Sequence, residues 1–364
     1  MTRRPDTDAW KRDELLARAA DAPDALALFA GASTRLRRLV PFDAAVWRAT
    51  DPLTGLIAAP IRVENLDEEG CAAFWTSESD PSTVNAFRDL VDARVPAAAL
   101  RESTGDRPEL GPLYDAYLRP RRFGDELRAV LRVGGRPWGS VSLFRDRDRP
   151  AFTVADTELV AGLSAPLAGR LRGFLRPAEV PAGAVAEAQE ATGVLLFDRA
   201  GRLVSANEQA RARIASVTGE PGDPTAPMTP IWIATLAAAG TGRVRVRTRS
   251  GRWLVCHASR LSGDDAFTVV MIEAAPASEV STIIVETFEL TARETEITRL
   301  VTSGLATDEI ARRLHISTHT VRDHIKSVLG KVGVASRGEL VAKLFTEYVA
   351  PATAPAVHRV RTAS

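Results

Sequence analysis

Towards the carboxy terminus, apolar and polar positions alternate with a helical period. Thr291 and Glu294 stand at the Ser/Thr-x-x-Glu spacing of a capping box, and Ile297, Leu300 and Val301 follow at helical intervals. Gly304 supplies a left-handed stop. A second helix is expected from Thr307, its cap, with Asp308 and Glu309 at the positive end; it buries Ile310, Ala311 and Leu314 and exposes Arg312 and Arg313. A three-residue turn, His315-Ile316-Ser317, leads into a third helix that Ser317 can cap. Val321, Ile325, Val328, Leu329 and Val332 there fall at i, i+4, i+7, i+8 and i+11, one apolar stripe. Ser336 and Glu339 open a fourth helix carrying Leu340, Val341 and Leu344.

The stripe decides what faces outward. With Val321 and Ile325 inside, Thr318, His319, Arg322, Asp323 and Lys326 project from the front of the third helix. Arg322 and Lys326 sit one turn apart, within reach of guanine O6 and N7 or of a phosphate. Asp323 is unusual on such a face: either it accepts from a cytosine N4 or it pins Arg322 or Lys326. Thr318 and Thr320, beside the free amides of the helix start, suit phosphate contacts. His315, His319 and His324 cluster in sequence, but the last two are roughly 140° apart around a helix, so no shared metal is expected.

Four phrases in this stretch keep a common order: Leu290-Thr-x-Arg-Glu, Gly304-x-x-x-x-Glu-Ile-Ala, Ile316-Ser-x-x-Thr-Val-Arg-x-His, and Lys331-Val-Gly-Val-x-Ser-Arg. Together they resemble the four-helix DNA-binding domain of the LuxR family of bacterial transcription regulators, from about Phe288 to Phe345. The resemblance implies a helix-turn-helix whose second helix enters a major groove, with Lys331 and Arg337 adding backbone contacts. Thr307 completes the expected DNA-contacting set. Asp308 departs from the family, standing where lysine is frequent, so no phosphate contact is expected from that position. Gly330 should interrupt the recognition helix at a cost of roughly 0.5–1 kcal/mol against alanine. Over 288–348 nine basic residues oppose eight acidic ones, a net of +1. Affinity must then come from charge placement and dimerisation, so a single copy should bind poorly and two half-sites should lie about one helical turn apart.

Upstream, the pattern is α+β. A helical stretch at Asp24 to Leu39 precedes a strand from Asp43, a turn at Asp51-Pro-Leu-Thr-Gly and a strand from Leu56 to Val63. A hairpin follows at Asp125 to Val133 and Trp138 to Arg145 around Gly134-Gly135-Arg136, then an amphipathic helix from Thr153 to Phe174. That helix sets Leu159, Val160, Leu163, Leu167 and Leu171 on one side. With the phrases Phe123-Gly-Asp-Glu-Leu, Trp138-Gly-Ser-Val-Ser-Leu and Phe152-Thr, this order resembles a GAF domain, a fold that often holds a small ligand. A second unit starts at Gly193-Val-Leu-Leu-Phe, turns at Arg199-Ala-Gly, and enters a helix after Asn207; it resembles the opening of a PAS domain. Three strands complete it: Arg243 to Arg249, Arg252 to Ser259 and Ala266 to Glu273.

The expected architecture is therefore multidomain. It comprises an extension (1–21), an α+β GAF-like sensory domain (22–176), a linker (177–184), and an α+β PAS-like sensory domain (185–274). A coupling segment (275–287), an all-α four-helix helix-turn-helix domain (288–348) and a disordered tail (349–364) follow. Val280, Ile283, Ile284 and Phe288 fit a helical seam in the coupling segment, against the propensity of its β-branched run.

Within the sensory part, Arg243, Arg245, Arg247 and Arg249 share one strand face; they hold an anion, dock on an acidic neighbour, or are simply solvated. Trp232, Cys256 and His257 line a pocket or, more plainly, the core. Cys71, near Phe74 and Trp75, reads as packing, and the two cysteines as reduced thiols.

The 364 residues suit about two or three domains. With 45% hydrophobic and 26% charged residues the chain reads as globular, and its net formal charge of +1 argues against a generally basic nucleic-acid coat. The charged start, Met1 to Asp24, has no apolar run of a secretory signal, and the uncharged Pro224 to Thr241 is broken by prolines. A cytoplasmic protein without membrane contact is expected. Motifs for phosphate-loop, zinc-protease and serine-hydrolase chemistry are absent, so no enzyme and no cofactor are expected.

The reading is a transcription regulator that binds operator DNA as a homodimer. RNA polymerase and an unidentified small-molecule or protein signal are further candidate partners. The alternatives are a GAF–PAS signalling scaffold with a helical tail for protein contacts, or a sigma-factor-like promoter reader.

Overall fold

The computed structural model describes residues 5–66, 78, 80–175, 191–219, 229–262 and 267–349; at 5–8, 277, 278, 281 and 345–349 the backbone alone is described. Cys71 and its neighbours, the expected linker and the carboxy-terminal tail lie outside these residues. The chain divides into two compact units, one of 1–174 with 191–274 and the other of 175–190 with 275–364.

In the first unit, β1 (Ala44–Thr50), β2 (Ile57–Glu64), β3 (Ala97–Ala99), β4 (Phe123–Val133) and β5 (Arg136–Asp146) form an antiparallel sheet in the order β2-β1-β5-β4-β3. The β4–β5 hairpin turns on Gly134 and Gly135, at φ 63° and 72°, the positive values a two-residue mirror-image turn demands. One sheet face carries Trp47, Val141, Leu127 and Leu131, all buried. It packs on α2 (Ala25–Leu39) and on the long helix Val154–Phe174, in which Leu163, Leu167 and Leu171 are buried and Leu159 only half-buried. Trp47 stacks on Phe29 of α2 at 5.9 Å, and Asp24 caps α2 by accepting from the Ala27 amide. Gly139 is required where the long helix rests, since a Cβ there would sit 2.7 Å from Leu171 Cδ1 and 2.8 Å from the Arg48 carbonyl oxygen.

The stretch that reads in sequence as a charged extension contains a helix, α1 (Pro5–Ala20), whose Leu15 and Ala19 lie one turn apart and are buried.

A second antiparallel sheet comprises β6 (Gly193–Phe197), β7 (Leu203–Ala206), β8 (Thr241–Arg247), β9 (Trp253–Arg260) and β10 (Thr268–Ala274), ordered β7-β6-β10-β9-β8. The helix Glu208–Thr218, capped by Asn207 through the Ala210 amide, and the helix Ile231–Ala239 accompany it. Trp232 and Cys256 are core residues; His257 is half-buried, with Nε2 3.5 Å from Glu273.

The two sheets share one apolar core, in which Val46, Ile57 and Ala58 of the first are continuous with Leu236, Val244 and Val246 of the second. The four arginines expected on one strand face do not all lie on that strand. β8 ends at Arg247, so Arg249 lies beyond it. Arg245 is docked on Asp51, and Arg247 donates to the carbonyls of Phe174 and Gly251.

The second unit contains five consecutive helices: Ala277–Thr287, Ala292–Thr302, Thr307–Leu314, Thr318–Val332 and Arg337–Val349. The first is helical despite its β-branched run because Val280, Ile283, Ile284 and Val285 are all buried, burial outweighing propensity. It packs on the second and the last, so the expected coupling segment is built into the helical unit. Among the described residues no helix is long and apolar enough to cross a membrane.

Candidate nucleic-acid interface

Each turn of the helical unit has a local cause. Thr291 accepts from the Glu294 amide while the Glu294 carboxylate accepts from the Thr291 amide, a complete capping box. Gly304, at φ 86°, ends that helix two residues past Thr302. The next helix starts differently from expectation. Its cap position is Ala306, not Thr307; the Glu309 carboxylate reaches back to the Ala306 amide at 2.7 Å and satisfies a donor at the helix start in place of a capping hydroxyl. Thr307 is thus the first helical residue, half-buried.

His315 takes the left-handed conformation, φ 54°, and swings the chain through Ile316 to Ser317, which caps the third helix by accepting from the Thr320 amide. The Ser317 and Thr320 hydroxyls also bond to each other at 2.8 Å.

The third helix runs unbroken from Thr318 to Val332 and stops at Gly333, φ 71°. Gly330 therefore does not interrupt it: the helical bonds continue through a residue that needs no Cβ contact to hold its place. Val321, Val328 and Val332 are fully buried and Ile325 and Leu329 half-buried, against the two preceding helices. That seating leaves His319, Arg322, Asp323 and Lys326 exposed, with Thr318 and Thr320 half-buried at the helix start. Arg312 and Arg313 are exposed on the preceding helix. Asp323 pins neither Arg322 nor Lys326. Its carboxylate lies 3.6 Å from His319 Nε2, one turn back, where i,i+4 geometry brings the two together.

Two of the expected contact residues are engaged within the unit. Lys331 Nζ pairs with Glu294 at 2.6 Å and reaches the Glu289 carbonyl, and Arg337 donates to the Leu305 carbonyl. The Lys331 pairing belongs to a network invisible to sequence periodicity. Glu294, capping its own helix, also accepts from Ser327 Oγ at 2.6 Å. One carboxylate therefore ties the helix Ala292–Thr302 to the back of the third. Burial alone would raise the Glu294 pKa, but hydrogen bonds from Lys331, Ser327 and the Thr291 amide, with the lysine charge, hold it at about 2. The only sequence signal is the capping box itself, which accounts for one of the carboxylate's three partners.

Sequence relatives match this unit alone. The family model described as bacterial regulatory proteins, luxR family, matches residues 289–344. The HTH-type protein Mb0914c of Mycobacterium bovis is 46% identical over 52 residues, and the HTH-type transcriptional regulator MalT of Yersinia pestis is 38% identical over 58. These matches cover 14% and 16% of this chain and 6% of either relative, so they concern one domain and not the whole proteins. Among solved structures, Escherichia coli SdiA overlaps 92% of this chain and 95% of its own at 14% identity and a TM-score of 0.34. A Vibrio cholerae VqmA dimer overlaps 43% of this chain and 82% of its own at 18% identity and a TM-score of 0.20. At scores this low neither likeness establishes a common fold. The capping box, the hairpin, the seated third helix and the family match agree: residues 289–344 are a helix-turn-helix domain of the LuxR family of bacterial regulatory proteins.

Proposed function

We propose that this chain is a transcription regulator that binds operator DNA as a dimer, through the helix Thr318–Val332, under the control of its two-sheet unit. One observation carries the reading. The apolar side of that helix is seated on the preceding hairpin, and the seating holds Arg322 and Lys326 exposed one turn apart. A helix so presented fits a major groove, where an arginine can take guanine O6 and N7 and a lysine a second guanine or a phosphate. Thr318, His319 and Thr320 lie at the helix end that approaches the backbone, where amides and hydroxyls favour phosphate. Lys331 and Arg337 act chiefly as braces in the free protein, given their internal partners.

Dimerisation enters through arithmetic. With a net of +1 over 288–348, bulk attraction to phosphate is small, and two seated helices about one DNA turn apart supply the missing affinity. The sheets, in the order of elements expected of GAF-like and PAS-like modules, supply the sensing, and the reading places the protein in the cytoplasm with its DNA. RNA polymerase is a further partner for a regulator of this kind.

The test is operator selection from random duplexes, followed by binding measured at fixed salt for the wild type and for the double variant Arg322→Ala, Lys326→Ala. Selective binding abolished in the double variant supports the reading; equal affinity rules it out.

A further inference from the structure

The last turns of α2 and the end of β2 border a cavity of about 480 Å³, lined by Thr34, Arg37, Arg62, Val63, Glu64 and Asn65. β2 is an edge strand of the first sheet, and Arg62 and Glu64, two residues apart, share one of its faces. The Glu64 carboxylate has three donors. It accepts from Ser33 Oγ at 2.8 Å, from Arg37 Nη2 at 2.8 Å and from Arg62 Nε at 2.7 Å.

One arginine neutralises that carboxylate, and the second is surplus. Partly exposed ion pairs of this kind add little stability, so the fold does not call for both. The Arg37 and Arg62 side chains are 37% and 38% exposed, and among the described residues each makes one hydrogen bond, to Glu64. A guanidinium carries five N–H donors, so most of those on both residues are uncommitted. Arg37 also lies over the Phe42 ring, 4.5 Å from its centroid. Arg38, one helical turn beyond Thr34, is exposed at the same end of α2.

The other polar walls offer acceptors. Thr34 commits its hydroxyl proton to the Ala30 carbonyl at 2.9 Å, and Asn65 donates its amide to the Asp43 carbonyl at 2.7 Å. Their side-chain oxygens remain as acceptors.

We propose that this cavity binds a small phosphate monoester of a polyhydroxy compound, the phosphate held by Arg37 and Arg62 and the hydroxyls donating to Thr34 and Asn65. Guanidiniums arriving from two elements suit a phosphate, whose terminal oxygens diverge, better than a planar carboxylate. Glu64 and Phe42 already order Arg37 in the free protein, and donors ordered beforehand lose less on binding. The volume exceeds what inorganic phosphate fills and falls within the range of small-molecule sites. Two arginines and one glutamate give the lining a charge of +1, which suits one phosphate and not a chain of them. The site belongs to the two-sheet unit, and its test does not depend on DNA binding.

The experiment uses the full-length chain with glycerol 3-phosphate and glucose 6-phosphate as probes, and glucose, glucuronate and inorganic phosphate as controls. Binding is read by calorimetry and by the shift in melting temperature. Expected is saturable binding of at least one phosphate ester with a raised melting temperature, and weaker or no binding of every control. Arg62→Gln should weaken ester binding roughly tenfold, as one charged hydrogen-bonding partner is lost. Thr34→Glu carries the test if that variant is unstable. It removes no ion pair, stands one turn before Arg38 on an exposed helix face, and should abolish binding by adding a carboxylate to the wall. Esters that do not bind, binding unchanged in Thr34→Glu, or any control binding as tightly would each overturn the proposal. Intact ester binding in a chain that fails to bind operator would sink the regulator reading alone, so the two failures are distinguishable.

Discussion

Asp51 and Arg245 are 194 residues apart in sequence and joined by two hydrogen bonds: Asp51 Oδ2 accepts from the backbone amide and from Nη1 of Arg245, each at 2.9 Å. The Asp51 side chain is fully buried and that of Arg245 nearly so. The pair closes the turn after β1 onto strand β8 and seals the core that the two sheets share. Asp51→Ala removes the buried carboxylate on which a nearly buried guanidinium is docked, and the expected loss is about 3–5 kcal/mol. Hydrogen exchange provides the check. Amides of both sheets should lose protection together; loss confined to one would show that the halves open independently.

Glu294 should make the helical unit sensitive to acid. Its folded-state pKa, about 2, lies below the usual value of 4.5. Its contribution is therefore complete above 4.5 and is lost as pH falls from there toward 2. The shift corresponds to up to about 3 kcal/mol. In Glu294→Gln the urea midpoint of this unit should fall at neutral pH, and the gap from wild type should shrink across that window. A gap that stays constant down to pH 2 would contradict the assignment.

Gly330 occupies a helical position whose Cβ direction is open, and its φ is not positive. Gly330→Ala should stabilise the domain by roughly 0.5–1 kcal/mol, through helix propensity alone. Thermal melts of the two proteins decide it; a destabilised variant would mean that the backbone there is not the helix described.

Asp323 stands exposed on the face proposed to meet DNA, near His319. Asp323→Ala should raise affinity for random duplex, since a carboxylate no longer opposes phosphate, while narrowing the ratio between operator and random DNA. Removing Arg322 or Lys326 should lower the slope of log affinity against log salt by about 0.9 for each phosphate no longer neutralised. Titrations at several salt concentrations measure both, and an unchanged slope in both alanine variants would place the DNA-binding cations elsewhere.

Cys256 is fully buried, and burial pushes its thiol pKa far up, with Arg213 opposing weakly. The thiol should resist alkylation in the folded chain and react only in denaturant. Peptide mapping after iodoacetamide treatment reads this directly; rapid labelling of Cys256 under native conditions would show the second sheet opening readily.

The helical domain was legible because its determinants are local. A capping box spans four residues, a stripe repeats each turn, and a left-handed glycine marks a stop, so Thr291, Val321 and Gly304 declare themselves without their neighbours. The Thr307 cap failed for a related reason: a glutamate three residues on can satisfy the same amide, and composition alone does not say which will. Leu163 and Leu167 announced a core by spacing, and the Gly134-Gly135 turn announced its hairpin.

The amino-acid sequence by itself determined the two strand-rich segments, the four helices after residue 290 and the outward set of Arg322, Asp323 and Lys326. Each follows from periodicity over a few turns or pleats. Only the tertiary structure decided that the two sheets close over one core, that Arg245 lies in it beside Asp51, that Lys331 serves Glu294, and that Arg48 and Ser140 are neighbours on a buried face. Those pairings join residues from 37 to 194 positions apart, and no local period encodes which distant partner a charge will meet. That choice is made by the desolvation each charge would suffer if it met none.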